Sequence, residues 1–360
     1  MKKVISICLA AVLSIIMLAF SVSAAEQVRE LRTIMSDWAV EEIAQAKELR
    51  LISKYFGSDG AYQVVDYTAP ITRYDICTLA INYVELQNHF DGGRQFFGEM
   101  AEYYIYEKES PSIPRNPFVD EGNFAAAVDS YTAYYLGIAK GDENHAFNGD
   151  SIATRQEAAA ILLRAYQVCG GELPQEAAEI TFTDGASIPG WARDGASALS
   201  VWGVMEGDEK GNFNPKDQCT YEQAIAMFLR LYENAPVSRV KGNVKPIFTY
   251  EQCMEWLNNW QSAVYRVTAK VEGTGATFVR WDLGGVMHPA STLNLVFRDG
   301  GIRMITHIDY GASIENAQFS QDGKTFSCTI IESDSPARQL TVDVDTMTYE
   351  IVETAAPAKG

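Results

Sequence analysis

Three stretches of the 360-residue chain repeat one pattern of apolar and polar positions. Each starts at a threonine, Thr72, Thr154 or Thr220. Apolar residues then recur at the fourth, seventh, eighth and eleventh places: Ile76, Leu79, Ala80 and Tyr83; Ala158, Ile161, Leu162 and Ala165; Ala224, Met227, Phe228 and Leu231. That spacing gathers them on one face and predicts an amphipathic helix after each threonine. Three residues beyond the threonine stand Asp75, Glu157 and Gln223, so each helix opens on a capping box in which hydroxyl and acid or amide satisfy backbone donors. Arg73 and Arg155 follow the threonine directly. A cation in the first turn opposes the helix dipole, so helix physics does not account for them. The third copy carries Tyr221 there.

The register extends upstream. LGIAKGDENHAF and WGVMEGDEKGNF place Gly137 and Gly203, Gly141 and Gly207, and Phe147 and Phe213 at equal distances from their threonines, while LISKYFGSDGAY carries the same idea and ends in Tyr62. A further helix is predicted before each loop, with Trp38-Ala39 in the first copy, Phe124-Ala125 in the second and Trp191-Ala192 in the third. An aspartate precedes each, at Asp37, Asp120 and Asp184. The repeated unit is therefore Asp, helix, glycine-rich loop with an aromatic, capped helix. After residues 236–246, which lose periodicity and read as a linker, Phe248–Ser262 reads as an amphipathic helix. Alternating runs broken by DGG, QDGK and DVDTM then predict a small antiparallel sheet with that helix on one face. The expected fold class is a mainly α N-terminal module of three helical repeats plus a small C-terminal α+β domain.

Composition narrows the function. Asp and Glu outnumber Lys and Arg by 47 to 29, for a net charge of −18, and no basic run tracks phosphates, so nucleic acid is not an expected partner. Lys2 and Lys3, the apolar stretch from Val4 to Phe20 and the small residues Val22-Ser23-Ala24 read as a secretory signal peptide over residues 1–24. Its removal takes the charge to −20 and leaves nothing apolar enough for a membrane span. The remaining cysteines, Cys77, Cys169, Cys219, Cys253 and Cys328, are odd in number and lack any CxxC, which predicts buried free thiols rather than disulfides or zinc. The four histidines are equally scattered, and the oxygen ligands of DENHAFNGD break at Ala146, so no metal or cofactor is expected. No acid pair, GxSxG or Cys-His spacing suggests catalysis after Pro246.

The three-copy register, the ITR at 71–73 and the Gly-Asp loops resemble the S-layer homology domain, over roughly residues 30–235. The resemblance divides the chain into repeats at 30–86, 117–169 and 180–235, an insertion at 87–116, the linker at 236–246, the C-terminal domain at 247–354 and a tail at 355–360. It implies a pseudo-threefold module that binds a secondary cell-wall polysaccharide on the peptidoglycan of a Gram-positive-type bacterium, in grooves anchored by the ITR arginine. The implied glycan-binding residues are Arg73, Arg155, Asp37, Trp38, Asp120, Asp184 and Trp191, with repeat three altered at Tyr221. A guanidinium can hold a carboxylate-bearing or polyhydroxylated sugar through paired donors and an indole can lie against a pyranose face. Salt bridges for the arginines and core packing for the tryptophans remain the competing readings. The whole chain is read as a non-enzymatic surface protein displaying its C-terminal domain, against an anchored enzyme or a scaffold for protein interactions.

Overall fold

The computed structural model describes residues 32–53, 56–57, 64–88, 90, 97–101, 104, 117–120, 127–175, 181–237, 245–259, 265–283, 290–309, 311–333 and 335–353. The signal peptide, Tyr62, Phe124-Ala125, most of the insertion and linker, and the tail lie outside the described residues. No described helix is long and apolar enough to cross a membrane.

Helices α1 (Val40–Glu48), α2 (Arg73–Gln87), α3 (Phe97–Met100), α4 (Ala127–Tyr135), α5 (Arg155–Val168), α6 (Gly190–Val201) and α7 (Tyr221–Asn234) precede residue 235, together with the short strands β1 (Arg32–Ile34) and β2 (Val64–Asp66), which pair in parallel. Helices α2, α5 and α7 begin directly after Thr72, Thr154 and Thr220, each in extended conformation. Thr154 with Glu157 and Thr220 with Gln223 complete reciprocal capping boxes. The Thr72 hydroxyl accepts from Asp75 N at 3.1 Å.

The segments ahead of these helices close a ring. Ile71 N donates to Cys219 O at 2.8 Å, Cys219 N to Ala153 O at 3.0 Å, and Ala153 N to Ile71 O at 2.9 Å. A second circuit runs outside it, from Arg73 N to Ser151 O, Arg155 N to Asp217 O and Tyr221 N to Ala69 O. Each unit thus satisfies its backbone only through its neighbour, and the apolar faces of the capped helices meet in one core. Helices α1, α4 and α6 also finish alike. Arg50, Gly137 and Gly203 take left-handed φ values of 60°, 75° and 65°, and the next residue bonds back into the last turn at 2.8 Å. Repeat one bears a side chain where the others have the glycine such a cap favours.

Beyond residue 245 come α8 (Tyr250–Asn259) and eight strands: β3 (Tyr265–Glu272), β4 (Ala276–Leu283), β5 (Ala290–Phe297), β6 (Ile302–Asp309), β7 (Ser313–Phe319), β8 (Thr325–Ile331), β9 (Arg338–Asp343) and β10 (Tyr349–Glu353). They form two antiparallel meanders, in the orders β3-β4-β5-β6 and β10-β9-β8-β7. The expected fold class is therefore corrected. The described chain is mixed, with ten strands in three sheets, a parallel ribbon inside the N-terminal region and a β-rich C-terminal region in place of a small α+β domain. The reason lies in the two faces of the first sheet. Ala276, Phe278, Leu293 and Leu295 face the second sheet, where Phe278 stacks on Phe326 at 4.2 Å, whereas Val279, Trp281 and Val296 face α8 and the helical core. One helix covers one face only; the other face needs the second sheet. The three-residue strands β1 and β2 are too short for alternation to announce them.

The β-rich region is joined to the helices by packing. Phe248 sits among Phe90, Phe97 and Tyr104, with ring centroids 6.0, 5.5 and 6.0 Å away. The Tyr104 hydroxyl donates to Gln252 O at 2.9 Å, Ile247 N to Asn88 Oδ1 at 2.9 Å, and Lys245 N to Cys169 O at 2.8 Å. Gly300, at φ 99°, lets the β5–β6 turn press onto this joint: a Cβ there would lie 2.1 Å from Phe248 O.

Candidate functional site

Around the ring, the residue following each cap threonine reaches across to the loop of the next repeat. Arg73 Nε donates to Phe147 O at 3.0 Å and its guanidinium lies 5.2 Å from the Phe147 ring centre. Arg155 repeats this one unit on, donating Nε to Phe213 O at 2.8 Å and lying 5.1 Å from the Phe213 ring. Tyr221 places its ring 5.6 Å from Phe56, edge to face. The same position also faces the third residue of the next capping box. Arg73 pairs with Glu157 at 2.5 Å, and the Tyr221 hydroxyl donates to Asp75 at 2.5 Å.

The loops are built by aspartates. Asp120 accepts from Phe147 N and Asn148 N at 2.7 and 2.8 Å, and Asp184 accepts from Phe213 N and Asn214 N at 2.6 and 2.8 Å. Both carboxylates thus hold the backbone that presents the aromatic, and they do so from within the same repeat. Asp142 and Asp208 fold the loop tips, accepting from Ala146 N at 3.0 Å and Asn212 N at 2.9 Å. Hydrogen bonds, from Ala146 N foremost for Asp142 and from the Asn214 amide foremost for Asp208, hold both carboxyls below the usual range. Among the described residues no group of three or more His, Cys, Asp or Glu is placed to hold a metal.

Trp38 and Trp191 are exposed, at 47% and 52%, rather than packed in the core. Trp191 opens α6 and lines a groove of about 670 Å³ with Arg73, Lys140, Asp142, Glu157 and Arg164. The groove is therefore composite: its arginine comes from repeat one, its loop and α5 wall from repeat two, and its indole from repeat three. Arg73 and Trp38 belong to the same repeat, yet the groove brings Arg73 together with Trp191. The turn carrying Asp37 and Trp38 is fixed to α7 instead, through Glu222, whose carboxylate accepts from Ser36 N at 2.9 Å and Ser36 Oγ at 2.8 Å. Asp37 is exposed at the start of that turn. Arg164 and Lys140 were not foreseen. Arg164 donates to Ile138 O at 3.2 Å, and Arg230 at the matching place of α7 pairs with Glu42 at 3.5 Å, a recurrence at ten residues past Thr154 and Thr220 that the sequence does display, with Asn82 at that place in the first copy. Among the described residues the five cysteines are buried and unbridged, and burial pushes the Cys219 thiol up to about 11 and those of Cys253 and Cys328 up to about 12.

The family described as S-layer homology domain matches residues 131–159 and 181–225. An amylopullulanase of Thermoanaerobacterium thermosulfurigenes is 34% identical over 112 residues, covering 31% of this chain and 6% of the relative. An endoglucanase of Bacillus sp. (strain KSM-635) is 34% identical over 115 residues, covering 32% and 12%. A surface-layer 125 kDa protein of Lysinibacillus sphaericus is 33% identical over 113 residues, covering 28% and 9%. The chain thus spans no more than 12% of the length of these relatives. It carries an S-layer homology domain, the mark of a cell-surface, cell-wall-associated bacterial protein.

Proposed function

We propose that residues 32–237 attach this protein non-covalently to a secondary cell-wall polysaccharide on Gram-positive-type peptidoglycan, and that the β-rich region is held outward as cargo. The observation that carries this is the composite groove, in which a guanidinium fixed by a loop carbonyl, a buried-edge arginine and an exposed indole converge although they come from different repeats. An indole offers a flat apolar face to a pyranose and the polar rim offers donors and acceptors to its hydroxyls. Arg73, Arg155, Trp38 and Trp191 act as ligand contacts in this reading, while Asp120 and Asp184 position the loops. The β-rich region is taken as non-catalytic, and a cleared zone in peptidoglycan zymography would oppose that.

Co-sedimentation with purified walls tests the anchor. The full chain is expected to pellet with walls that retain their polysaccharide and to stay in the supernatant with walls stripped by hydrofluoric acid. Equal binding to both would contradict the proposal.

A further inference from the structure

A second groove, of about 790 Å³, lies between the helical ring and the β-rich region. Its ring wall is made by the C-terminal ends of three helices, with Glu48 and Leu49 from α1, Leu86 from α2 and Tyr232 from α7. The opposite wall comes from the β5–β6 and β9–β10 turns and the start of β6, with Phe297, Arg298, Arg303 and Val344. Leu86, Phe297 and Val344 are buried and give the groove an apolar floor. The walls differ in charge. Glu48 adds a carboxylate where three helix ends already carry partial negative charge, and Arg298 and Arg303 set two cations against it. Arg298 lies 4.3 Å from the Tyr250 ring centre, and its contacts with Glu272 and Gly273 O are long, at 3.4 Å each, while Glu272 pairs with Lys270 at 2.7 Å. Burial pushes the Tyr232 hydroxyl up and the Arg303 charge opposes it, which places that guanidinium near the phenol. Asp299 and Asp345 also line the β wall, and Asp345 pairs with Lys324 at 3.8 Å.

We infer that this groove binds a short peptide bearing both carboxylate and ammonium groups, the chemistry of the stem peptides of peptidoglycan. Arg298 and Arg303 hold a carboxylate, and Glu48 holds the ammonium. The inference takes from the proposed function only that the chain lies on peptidoglycan. The volume falls within the ~300–1,000 Å³ of small-ligand clefts, which form preferentially between packed bodies. The floor favours a peptide over a sugar. Leu49, Leu86 and Val344 suit aliphatic side chains, and among the described residues no indole lines this groove, whereas Trp191 lines the one on the ring. Paired guanidiniums on one wall suit a carboxylate, and the opposite sign across the cleft orients an amphoteric chain and disfavours a purely anionic one. Arg298 remains 35% exposed, so solvent screens it and the contact is weak by itself. It counts once the ring is anchored, when stem peptides of the same wall stand at high effective concentration. Stripped walls therefore do not retain the chain through this groove alone.

The test is titration calorimetry of the full chain with the synthetic pentapeptide alanyl-γ-glutamyl-lysyl-alanyl-alanine at millimolar concentration. Amidating the peptide's carboxylates should weaken binding about tenfold, as should Arg298→Gln and Arg303→Gln in the protein. Glu48→Gln should weaken binding of the unmodified peptide and leave that of a peptide with acetylated amines unchanged. The glycan-strand disaccharide without its peptide should not compete. No binding of the pentapeptide by the parent, equal binding of its native and amidated forms, or displacement by the disaccharide overturns the inference. So does full affinity in folded Arg298→Gln and Arg303→Gln. The two readings fail separately: calorimetry with the peptide involves no wall polysaccharide, and co-sedimentation with intact walls reads the ring anchor.

Discussion

In the helical ring the parts that face solvent are assembled from polar groups with defined partners: Asp120 and Asp184 each hold two backbone N–H groups, and Arg73 and Arg155 each reach a loop carbonyl of the next repeat. In the β-rich region the interior is held mainly by aromatic and aliphatic packing between sheets, with Phe278 on Phe326 at its centre. Polar partners fix geometry to within a hydrogen bond, and that is what a binding surface requires; apolar packing gives cohesion with little commitment to any ligand. The two regions meet at Phe248, whose aromatic cluster continues the core of the helical ring and stands apart from the core between the two sheets.

Breaking the joint should have the largest effect. Phe248→Ala removes a buried ring from between Phe90, Phe97 and Tyr104, and a cost of about 3–5 kcal/mol is expected. Differential scanning calorimetry should then show the regions melting separately where the parent melts as one. Next is the loop clamp. Asp184→Ala strips two charge-assisted hydrogen bonds and should lower stability by roughly 2–3 kcal/mol in urea unfolding, whereas Asp184→Asn should lose less.

The contrast also explains what could be foretold. The capped helices were legible because Thr72, Thr154 and Thr220 and their box partners are local signals, and Asp120 and Asp184 were visible as recurring positions. Which repeat each side chain serves was not: Arg73 finds Phe147 and Glu157 across 74 and 84 residues, contacts that only the ring closure creates. The β-rich region was misjudged for a different reason. Leu293, Leu295 and Val296 mark a strand buried on both faces, but what covers the second face is set by strands that follow it in the chain. Tyr221 stands where the other two copies carry arginine, and long-range packing gives it structural contacts that local pattern does not announce: its ring meets Phe56 and Gly57 and its hydroxyl bonds Asp75.

Those contacts give a smaller prediction. Tyr221→Phe should cost about 1 kcal/mol in thermal unfolding through loss of the Asp75 bond, with Tyr221→Ala costing more. The smallest effect should be the response to acid. Asp142 and Asp208 have carboxyl pKa values below their unfolded ones, so their contribution is present above the ordinary aspartate value of about 3.9 and lost as pH falls through the lower folded values. Urea midpoints should hold steady between about pH 5 and 7 and decline below about pH 4. Asp208→Asn should shallow that decline.

The central claim, that glycan is held in the ring grooves, is tested most directly by the indole N–H resonances of the full chain during titration with wall polysaccharide. Trp191, which lines the groove, and the exposed Trp38 should shift or broaden progressively, while Trp256 and Trp281, buried against each other at 5.8 Å, should stay fixed. Shifts confined to Trp256 and Trp281, or no change at Trp38 and Trp191 while the protein co-sediments with walls, would place the binding surface elsewhere and contradict the account.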